Sequence, residues 1–405
     1  MPIPSEALRS ERLEQAGFNV LNLDPEDIAI DLLTDVPPRA LVASTLDAGL
    51  RAARAGEREP DLQALAAQLY GDFAYVVSTK GRAAEVLLAD GLGKRSPTVV
   101  TTGLFFTTQL ALATVGARIE TAPRRADDTR TSDPDPAWLE QRLAAGGVDI
   151  VYLEACNNAL GGTPLTHSAL EAASHACRRH GALLVLDAAR LLANGLALGG
   201  PACEVARSLT ALADAFTVSC SKELLVPMGA LVAVRSAALR DKLVGSAYGR
   251  GLLLEPLEAR VQLAAGMADM AQRADAVLGA RRALLHRLAS ALRARGIAPL
   301  EPIEGHAVFV PVPGELLEAS PTRARALEGL LYRFGGVRTV LFPYPLLGRA
   351  LLRLTLPLAL YGEAEMEQTA EAVQLMLQRA DEAPRLLPDP EQRHPLIARY
   401  PLERA

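Results

Sequence analysis

The sequence is poor in cysteines, aromatic residues and long apolar runs, and these shortages narrow the class of protein. Only 4% of its 405 residues are aromatic, and its four cysteines show no CxxC spacing. We therefore expect no disulfide framework, as in a cytoplasmic protein. No apolar stretch is long enough to span a bilayer, and the first residues lack the basic start and apolar core of a signal peptide. A membrane partner is not expected.

The chain also has no large excess of charge of either sign. The formal net charge is −5, and no block rich in lysine or arginine stands out, which argues against nucleic acid as a partner. Hydrophobic residues make up 50% of the chain, as suits a helix-rich soluble protein. A chain of 405 residues is long enough for two domains, or for one large α/β domain with a second lobe.

Short apolar runs alternate with helical patterns over residues 70–235, which predicts one mainly parallel sheet. Its predicted strands are 74–77, 99–102, 118–121, 149–154, 182–186, 215–218 and 230–234. Helices are predicted over 5–16, over 39–70 in two parts, and over 83–92, 138–144, 166–180, 204–212, 254–296 and 362–379. The remaining predicted strands are 24–35, 307–310, 337–340 and 351–355.

Polar side chains follow four strands of the predicted sheet. Because α/β sheets bind ligands at the carboxyl ends of their strands, these side chains are candidates for one site. Each also has an ordinary structural interpretation, such as a turn, a helix cap or a solvated lysine. The four signals are Gly81 with Arg82, Asn158, Asp187 with Arg190, and Lys222.

Pyridoxal phosphate is the cofactor whose chemistry needs such a set. A lysine carries it as a Schiff base, and a carboxylate keeps its pyridine nitrogen protonated so that the ring can accept electrons. An aromatic face stacks on the ring, and the free amides at a helix start bind the phosphate. The turn and helix start at residues 78–82 suit that last role, and Lys222 and Asp187 suit the first two.

Eight segments, in order along the chain, resemble the aromatic amino-acid β-eliminating lyases, the family of tryptophanase and tyrosine phenol-lyase. These segments are 29–35, 80–85, 105–108, 158–164, 187–190, 219–223, 305–310 and 353–357. The resemblance implies an α/β protein of pyridoxal-phosphate fold type I, similar to aspartate aminotransferase, with a mainly parallel seven-stranded sheet and a smaller C-terminal lobe. The implied domains are an N-terminal arm with part of the small domain (1–45), a large cofactor-binding domain (46–290) and a small domain (291–405). A homodimer or homotetramer with sites shared between subunits is also implied.

The resemblance assigns cofactor-binding roles position by position. Lys222 would form the Schiff base and Asp187 would pair with the pyridine nitrogen. The other implied residues are Asn158 and Arg190 at the ring oxygen, Phe106 on the ring face, and Lys80, Gly81, Arg82 and Ser219 at the phosphate.

It assigns substrate-binding roles as well. Arg353 would bind the α-carboxylate with help from Thr34 and Asn158, since arginine can contact a carboxylate through two parallel hydrogen bonds. His306 matches an active-site histidine of the family, with a structural role before a strand as the alternative. No metal site is predicted, because the acidic residue that holds a monovalent cation in the family has no clear match.

The sequence departs from the family where family members bind and protonate their leaving group. Residues 55–61 contain no tyrosine, although the family has its general acid there. Further departures are Ser221 in place of a lysine, Leu358 in place of an arginine, Phe342 at about the phenol-lyase arginine, and residues 36–38 in place of a Ser/Gly turn. We therefore expect neither tryptophan nor tyrosine as the natural substrate.

Together these features predict a pyridoxal-phosphate-dependent lyase that acts on an amino acid. Lys222 would remove the α-proton and a β-substituent would leave, giving pyruvate and ammonia. A good leaving group such as a thiol would not need the general acid, whose help is typically worth ~10²–10⁴-fold. The alternatives are retro-aldol cleavage, β- or γ-replacement, transamination or cyclisation with the same cofactor, and a non-catalytic protein that binds it.

Overall fold

The computed structural model describes residues 4–42, 51, 60–93, 95–318, 320 and 322–403. The chain divides into two compact units. The large unit comprises residues 36–280 and 304–306, and the small unit comprises 1–35, 281–303 and 307–405. The assignment of cofactor binding to a domain over 46–290 stays a prediction.

Strands and helices are numbered along the described chain. The strands are β1 (Ile30–Asp31), β2 (Ala74–Ser78), β3 (Thr98–Thr101), β4 (Arg118–Thr121), β5 (Ile150–Glu154), β6 (Leu183–Asp187), β7 (Ala215–Val218), β8 (Ala230–Val234), β9 (Ala307–Pro311), β10 (Val337–Arg338), β11 (Val340–Tyr344) and β12 (Arg349–Thr355). The helices are α1 (Glu6–Gln15), α2 (Leu62–Tyr70), α3 (Gly81–Gly91), α4 (Phe106–Ala113), α5 (Pro136–Ala144), α6 (His167–His180), α7 (Leu191–Ala197), α8 (Ala202–Thr210), α9 (Cys220–Glu223), α10 (Ala237–Gly249), α11 (Leu257–Ala294), α12 (Arg323–Gly335) and α13 (Glu363–Gln378).

A seven-stranded sheet forms the centre of the large unit, in the order β2-β8-β7-β6-β5-β3-β4. Only β8 runs antiparallel to its two neighbours, and the remaining pairs are parallel. Every residue of β5, β7 and β8 is buried, which is the pattern of strands covered on both faces. The predicted mainly parallel seven-stranded sheet is therefore confirmed.

Local signals set the ends of several helices. Thr166 caps α6 by accepting a hydrogen bond from the N–H of Ala169, and Gly181 ends the same helix in the left-handed conformation, at φ 72°, as predicted. The long pattern over 254–296 forms one helix, α11. Of the two helices predicted over 39–70, the second is α2, and the first lies largely outside the described residues. None of the described helices is long and apolar enough to cross a membrane.

The small unit contains a three-stranded antiparallel sheet in the order β11-β12-β9 and a separate parallel pair, β1 with β10. Buried leucines of α12 and methionines of α13 contribute to the core of this unit. The predicted strand 337–340 is interrupted at Thr339, because β10 pairs with β1 whereas β11 pairs with β12.

The strand predicted over 24–35 is wrong for most of its length. Only β1 is extended and paired, and Pro25–Asp27 forms a short 3₁₀ turn that begins with Pro25 at its first position. Proline presets the backbone angle of a turn, and Asp24 precedes it as the turn's first flanking residue. The apolar pattern of this segment therefore reflects burial without a long strand.

Candidate active site

Lys222 lies at the carboxyl end of a fully buried strand. The chain leaves β7 at Ser219 and forms the four-residue helix α9, which carries Lys222. The buried carboxylate of Glu223 anchors this helix, because it accepts hydrogen bonds from the N–H groups of Leu192 (2.9 Å) and Ala193 (3.0 Å). The Nζ atom of Lys222 lies 5.6 Å from the centroid of the Phe105 ring. The predicted nucleophile is thus held by a short, anchored element.

The start of α3 forms a tight cradle with Ser219. A Cβ atom added to Gly81 would lie 2.9 Å from Oγ of Ser219 and 3.0 Å from its Cβ, so a larger residue would force Ser219 or the helix start to move. No described side chain caps the helix at Lys80. An uncapped helix start leaves backbone N–H groups free for an anion, and Arg82 is exposed beside it. This arrangement suits a phosphate group.

Asp187 and Glu154 occupy neighbouring strand ends. In the parallel pairing of β5 with β6, Glu154 lies directly opposite Asp187, and the two residues are only 3% and 5% exposed. One carboxylate oxygen of Asp187 accepts a hydrogen bond from the N–H of Ala189 (3.0 Å). Burial and the charge of Asp187 raise the pKa of Glu154 to about 8, against the opposing effect of Asn158, Arg190 and Lys222.

Asn158 and His306 are brought together although they are far apart in the sequence. Nε2 of His306 lies 3.2 Å from Oδ1 of Asn158, and both residues are buried. The chain before the histidine packs closely, since a Cβ on Gly305 would lie 2.9 Å from the carbonyl oxygen of Gly162. Arg190 is buried at the start of α7 and lowers the pKa of Glu154 through its charge. Asn158, Arg190 and His306 are therefore all placed in the large unit, with Lys222 and Asp187.

Two adjacent phenylalanines have different surroundings. The ring of Phe105 is half-buried and close to Lys222, whereas Phe106 is 55% exposed. Their ring centroids are 4.7 Å apart. An exposed aromatic ring at a ligand site provides a surface on which a planar ligand can stack.

Sequence reasoning assigned no role to Phe105, Glu85 or Glu154. The carboxylate of Glu85 accepts hydrogen bonds from the hydroxyls of Thr107 (3.1 Å) and Thr108 (3.2 Å), and burial together with the charge of Asp187 raises its pKa. The sequence does contain a signal for Glu154, because it is a charged residue at the end of an apolar strand, like the polar residues that follow the other strands.

Arg353 and Thr34, the predicted substrate-binding residues, belong to the small unit. Arg353 lies on β12, is 9% exposed and donates a hydrogen bond to the carbonyl oxygen of Leu33 (3.1 Å), the neighbour of Thr34. Its Cζ atom is 5.5 Å from the centroid of the Phe342 ring. The small unit thus holds the guanidinium between a backbone carbonyl and an aromatic ring.

Comparison with known proteins identifies the family of this chain. A family model described as "Beta-eliminating lyase" matches residues 31–385. The chain belongs to the beta-eliminating lyase family. The resemblance found in the sequence is thereby confirmed.

Individual relatives of this beta-eliminating lyase agree. This chain is 26% identical over 406 residues to a tryptophanase of Hyphomonas neptunium, and the match covers 90% of this chain and 88% of that protein. It is 28% identical over 415 residues to a tyrosine phenol-lyase of Symbiobacterium thermophilum, covering 92% and 89%. Among solved structures, a double mutant of Thermus thermophilus aspartate aminotransferase matches with a TM-score of 0.65 at 14% identity, covering 92% and 95%. The fold is therefore that of type I pyridoxal-phosphate enzymes, as expected.

The residues of the large unit fit the cofactor of a beta-eliminating lyase of this fold, which is pyridoxal phosphate. The cradle between Gly81 and Ser219 excludes a Cβ atom and leaves amides for a phosphate. Lys222 offers an amine and Asp187 a buried carboxylate, the two groups that this cofactor requires. The chain is a pyridoxal-phosphate-dependent lyase.

Proposed function

We propose that this lyase acts on an amino acid, removing its α-proton and expelling a substituent from its β-carbon, with pyruvate and ammonia as products. The observation that carries the proposal is that Lys222, Asp187 and the Gly81–Ser219 cradle share one unit, all at strand or helix ends. When bound, pyridoxal phosphate supplies the electron sink that makes the α-proton acidic.

Lys222 is the proposed base. Its helix is anchored through Glu223, so the Nζ atom is presented from a defined backbone position. An amine so held would be able to take the α-proton from the carbon of a substrate bound beside it. The charge of Lys222 lowers the pKa of both Glu85 and Glu154, which supports a position of its amine near these two carboxyls.

The cofactor is proposed to be held by the remaining residues of the large unit. Asp187 would pair with the pyridine nitrogen, and Phe106 would cover the ring face. Asn158 and Arg190, whose side chains are both buried, would hold the ring oxygen. The proposed phosphate ligands are Lys80, Gly81, Arg82 and Ser219.

Arg353 is the proposed ligand of the substrate α-carboxylate, assisted by Thr34 and Asn158. The Leu33 carbonyl and the Phe342 ring restrict its guanidinium, so less side-chain entropy is lost when it binds a carboxylate. His306 is proposed to act in the site through its contact with Asn158.

The leaving group is proposed to be neither indole nor phenol. Leu358 is buried and apolar and Phe342 packs on Arg353, so neither offers the cation that the family uses there. Residues 55–61, which contain no tyrosine, lie mostly outside the described residues. A thiolate leaves without general-acid help, so a cysteine-like amino acid is the favoured substrate class. A homodimer or homotetramer in the cytoplasm stays a prediction.

The test is the visible absorption spectrum of the protein reconstituted with pyridoxal phosphate, recorded for the wild type, Lys222→Ala and Lys242→Ala. Lys242 is an exposed lysine of α10 and serves as the matched control. We expect a lysine–cofactor band in the wild type and in the control, and no such band in Lys222→Ala. No band in any of the three proteins would overturn the cofactor assignment.

The reaction is then tested with a panel of amino acids, by measuring pyruvate together with exchange of the α-proton in heavy water. Pyruvate from a cysteine-like substrate, with little from tryptophan or tyrosine, is the expected result. Exchange without pyruvate would replace β-elimination by replacement, transamination, cyclisation or retro-aldol cleavage. Neither exchange nor product with any amino acid, despite a normal lysine–cofactor band, would favour a protein that only binds the cofactor.

A further inference from the structure

Glu154 and Asp187 form a carboxyl pair inside the large unit. They lie opposite each other at the ends of two parallel strands, which are about 4.8 Å apart in a sheet. Residues in register on neighbouring strands direct their side chains to the same face. Because both residues are almost fully buried, water cannot separate their charges.

The hydrogen bonds of Glu154 are incomplete for an ionised carboxylate. Its Oε1 accepts from the N–H of Asn158 (3.0 Å), but its Oε2 is buried and has no hydrogen-bond partner among the described residues. An ionised oxygen left in this state is costly, whereas a protonated carboxyl has an O–H that can donate to a neighbouring carboxylate. The carboxyl group in register with Glu154 on the neighbouring strand is that of Asp187.

The charged groups around Glu154 do not cancel this preference. Asp187 faces it from β6, Arg190 from the turn after β6, and Lys222 from α9. Tyr152, on the same strand, stays neutral because burial and the charge of Asp187 raise its pKa well above the ordinary value. Burial and the charge of Asp187 raise the pKa of Glu154 more than Arg190 and Lys222 lower it, so the net result is a pKa of about 8.

We propose that Glu154 is a positioning residue beside Asp187 that holds a proton in the cofactor-free protein and gives it up when the cofactor binds. The proton would pass to the pyridine nitrogen if that nitrogen arrived unprotonated, and otherwise to solvent. Either route would leave the carboxylates of Glu154 and Asp187 beside a protonated pyridine nitrogen. The inference rests on the proposed pairing of Asp187 with the pyridine nitrogen, and goes beyond it by giving that pair a proton donor.

Proton release makes cofactor affinity depend on pH. A group whose pKa falls when a ligand binds loses a proton on binding, so the affinity rises as pH rises towards the pKa of the free protein. For one proton this change cannot exceed tenfold per pH unit. Between pH 6.5 and pH 8 we therefore expect the affinity to rise about tenfold more in the wild type than in Glu154→Gln.

The experiment measures the dissociation constant of pyridoxal phosphate at pH 6.5, 7.25 and 8 for the wild type, Glu154→Gln and Glu171→Gln. Glu171 is exposed on α6 and provides a matched control for a lost carboxylate. We expect Glu171→Gln to keep the wild-type pH dependence. In Glu154→Gln the rise in affinity between pH 6.5 and pH 8 should be about tenfold smaller than in the wild type. Identical slopes in all three proteins, each with a normal lysine–cofactor band, would overturn the inference and leave the proposed function standing.

A second measurement does not need the cofactor. In the cofactor-free protein with ¹³C-labelled glutamate carboxyls, Glu85→Gln and Glu328→Gln first remove the two other glutamates whose pKa is raised. In that background one resonance should still titrate near pH 8, and it should titrate at lower pH in Asp187→Asn because the like charge is gone. This arm remains decisive if Glu154→Gln does not fold. Titration of every remaining glutamate below pH 6 in that background would overturn the inference, whereas absence of a lysine–cofactor band would overturn the proposed function instead.

Discussion

Single residues decide the shape and charge of the cofactor site. Gly81 leaves no room for a Cβ beside Ser219, and Glu154 places a second carboxyl beside Asp187. The first residue matters through sterics and the second through electrostatics. Neither effect depends on the identity of the substrate, so both can be tested through cofactor binding alone.

At Gly81 we expect alanine to weaken the binding of pyridoxal phosphate. The added methyl would stand 2.9 Å from Oγ of Ser219, so either the serine or the helix start must move away from the phosphate. Loss of one or two hydrogen bonds to a charged group predicts a dissociation constant that is roughly 10–100-fold larger. Gly245→Ala in α10, where no atom lies within 4 Å of the added Cβ, should leave the affinity unchanged. Equal affinity in Gly81→Ala and the wild type would contradict the cradle.

At the scale of elements, the short helix α9 depends on another helix for its position. Four residues are too few for a stable helix on their own, because nucleation is unfavourable. The carboxylate of Glu223 compensates by accepting two N–H groups at the start of α7, which have no partner of their own within a helix. The element that carries Lys222 is therefore stabilised by a contact between helices.

Replacing Glu223 by alanine should destabilise the protein and loosen Lys222 together. Two buried N–H groups lose their acceptor, at a cost of about 1–3 kcal/mol for each group left unsatisfied. Urea unfolding measures the loss, with Glu204→Ala at an exposed position of α8 as the control. We also expect a weaker lysine–cofactor band in Glu223→Ala. Unfolding curves that coincide for the two variants would show that the contact does not stabilise α9.

At the scale of the whole molecule, each unit buries a carboxyl in its interior. In the small unit, Glu328 of α12 is almost fully buried, accepts from the N–H of Leu341 (2.7 Å) and pairs with Arg325. Burial raises its pKa to about 7, despite the opposing charge of Arg325 and the hydrogen bond from Leu341. The stability of the small unit is thereby linked to pH.

The sign of this linkage follows from the raised pKa. The folded state holds the Glu328 proton up to pH 7, whereas the unfolded chain releases it near pH 4.5, so the stabilisation is full below pH 4.5 and is lost as pH rises to 7. The shift corresponds to roughly 3 kcal/mol. We expect Glu328→Gln, measured by urea unfolding of the full chain, to gain stability relative to the wild type between pH 5 and pH 7.5. A constant difference over that range would refute the linkage.

Much of this architecture was readable from local sequence patterns. The strands at 215–218 and 230–234 coincide with the predicted ones, because a short β-branched and apolar run is the same signal wherever it lies in the chain. The order of the motifs along the chain was sufficient to predict the family and the cofactor without any knowledge of tertiary contacts. The segment 24–35 failed for the converse reason, since its apolar residues are buried by the small unit without pairing into a long strand.

Tertiary structure decided which of these elements are neighbours. The order β2-β8-β7-β6-β5-β3-β4 depends on crossovers that local patterns do not encode. The approach of His306 to Asn158, 148 residues apart, and the alignment of Glu154 with Asp187 likewise depend on chain packing and strand register. The sequence therefore determined which chemical groups are present and at which strand ends they stand. Packing decided which groups share charge and protons, because such effects act over a few ångströms of space.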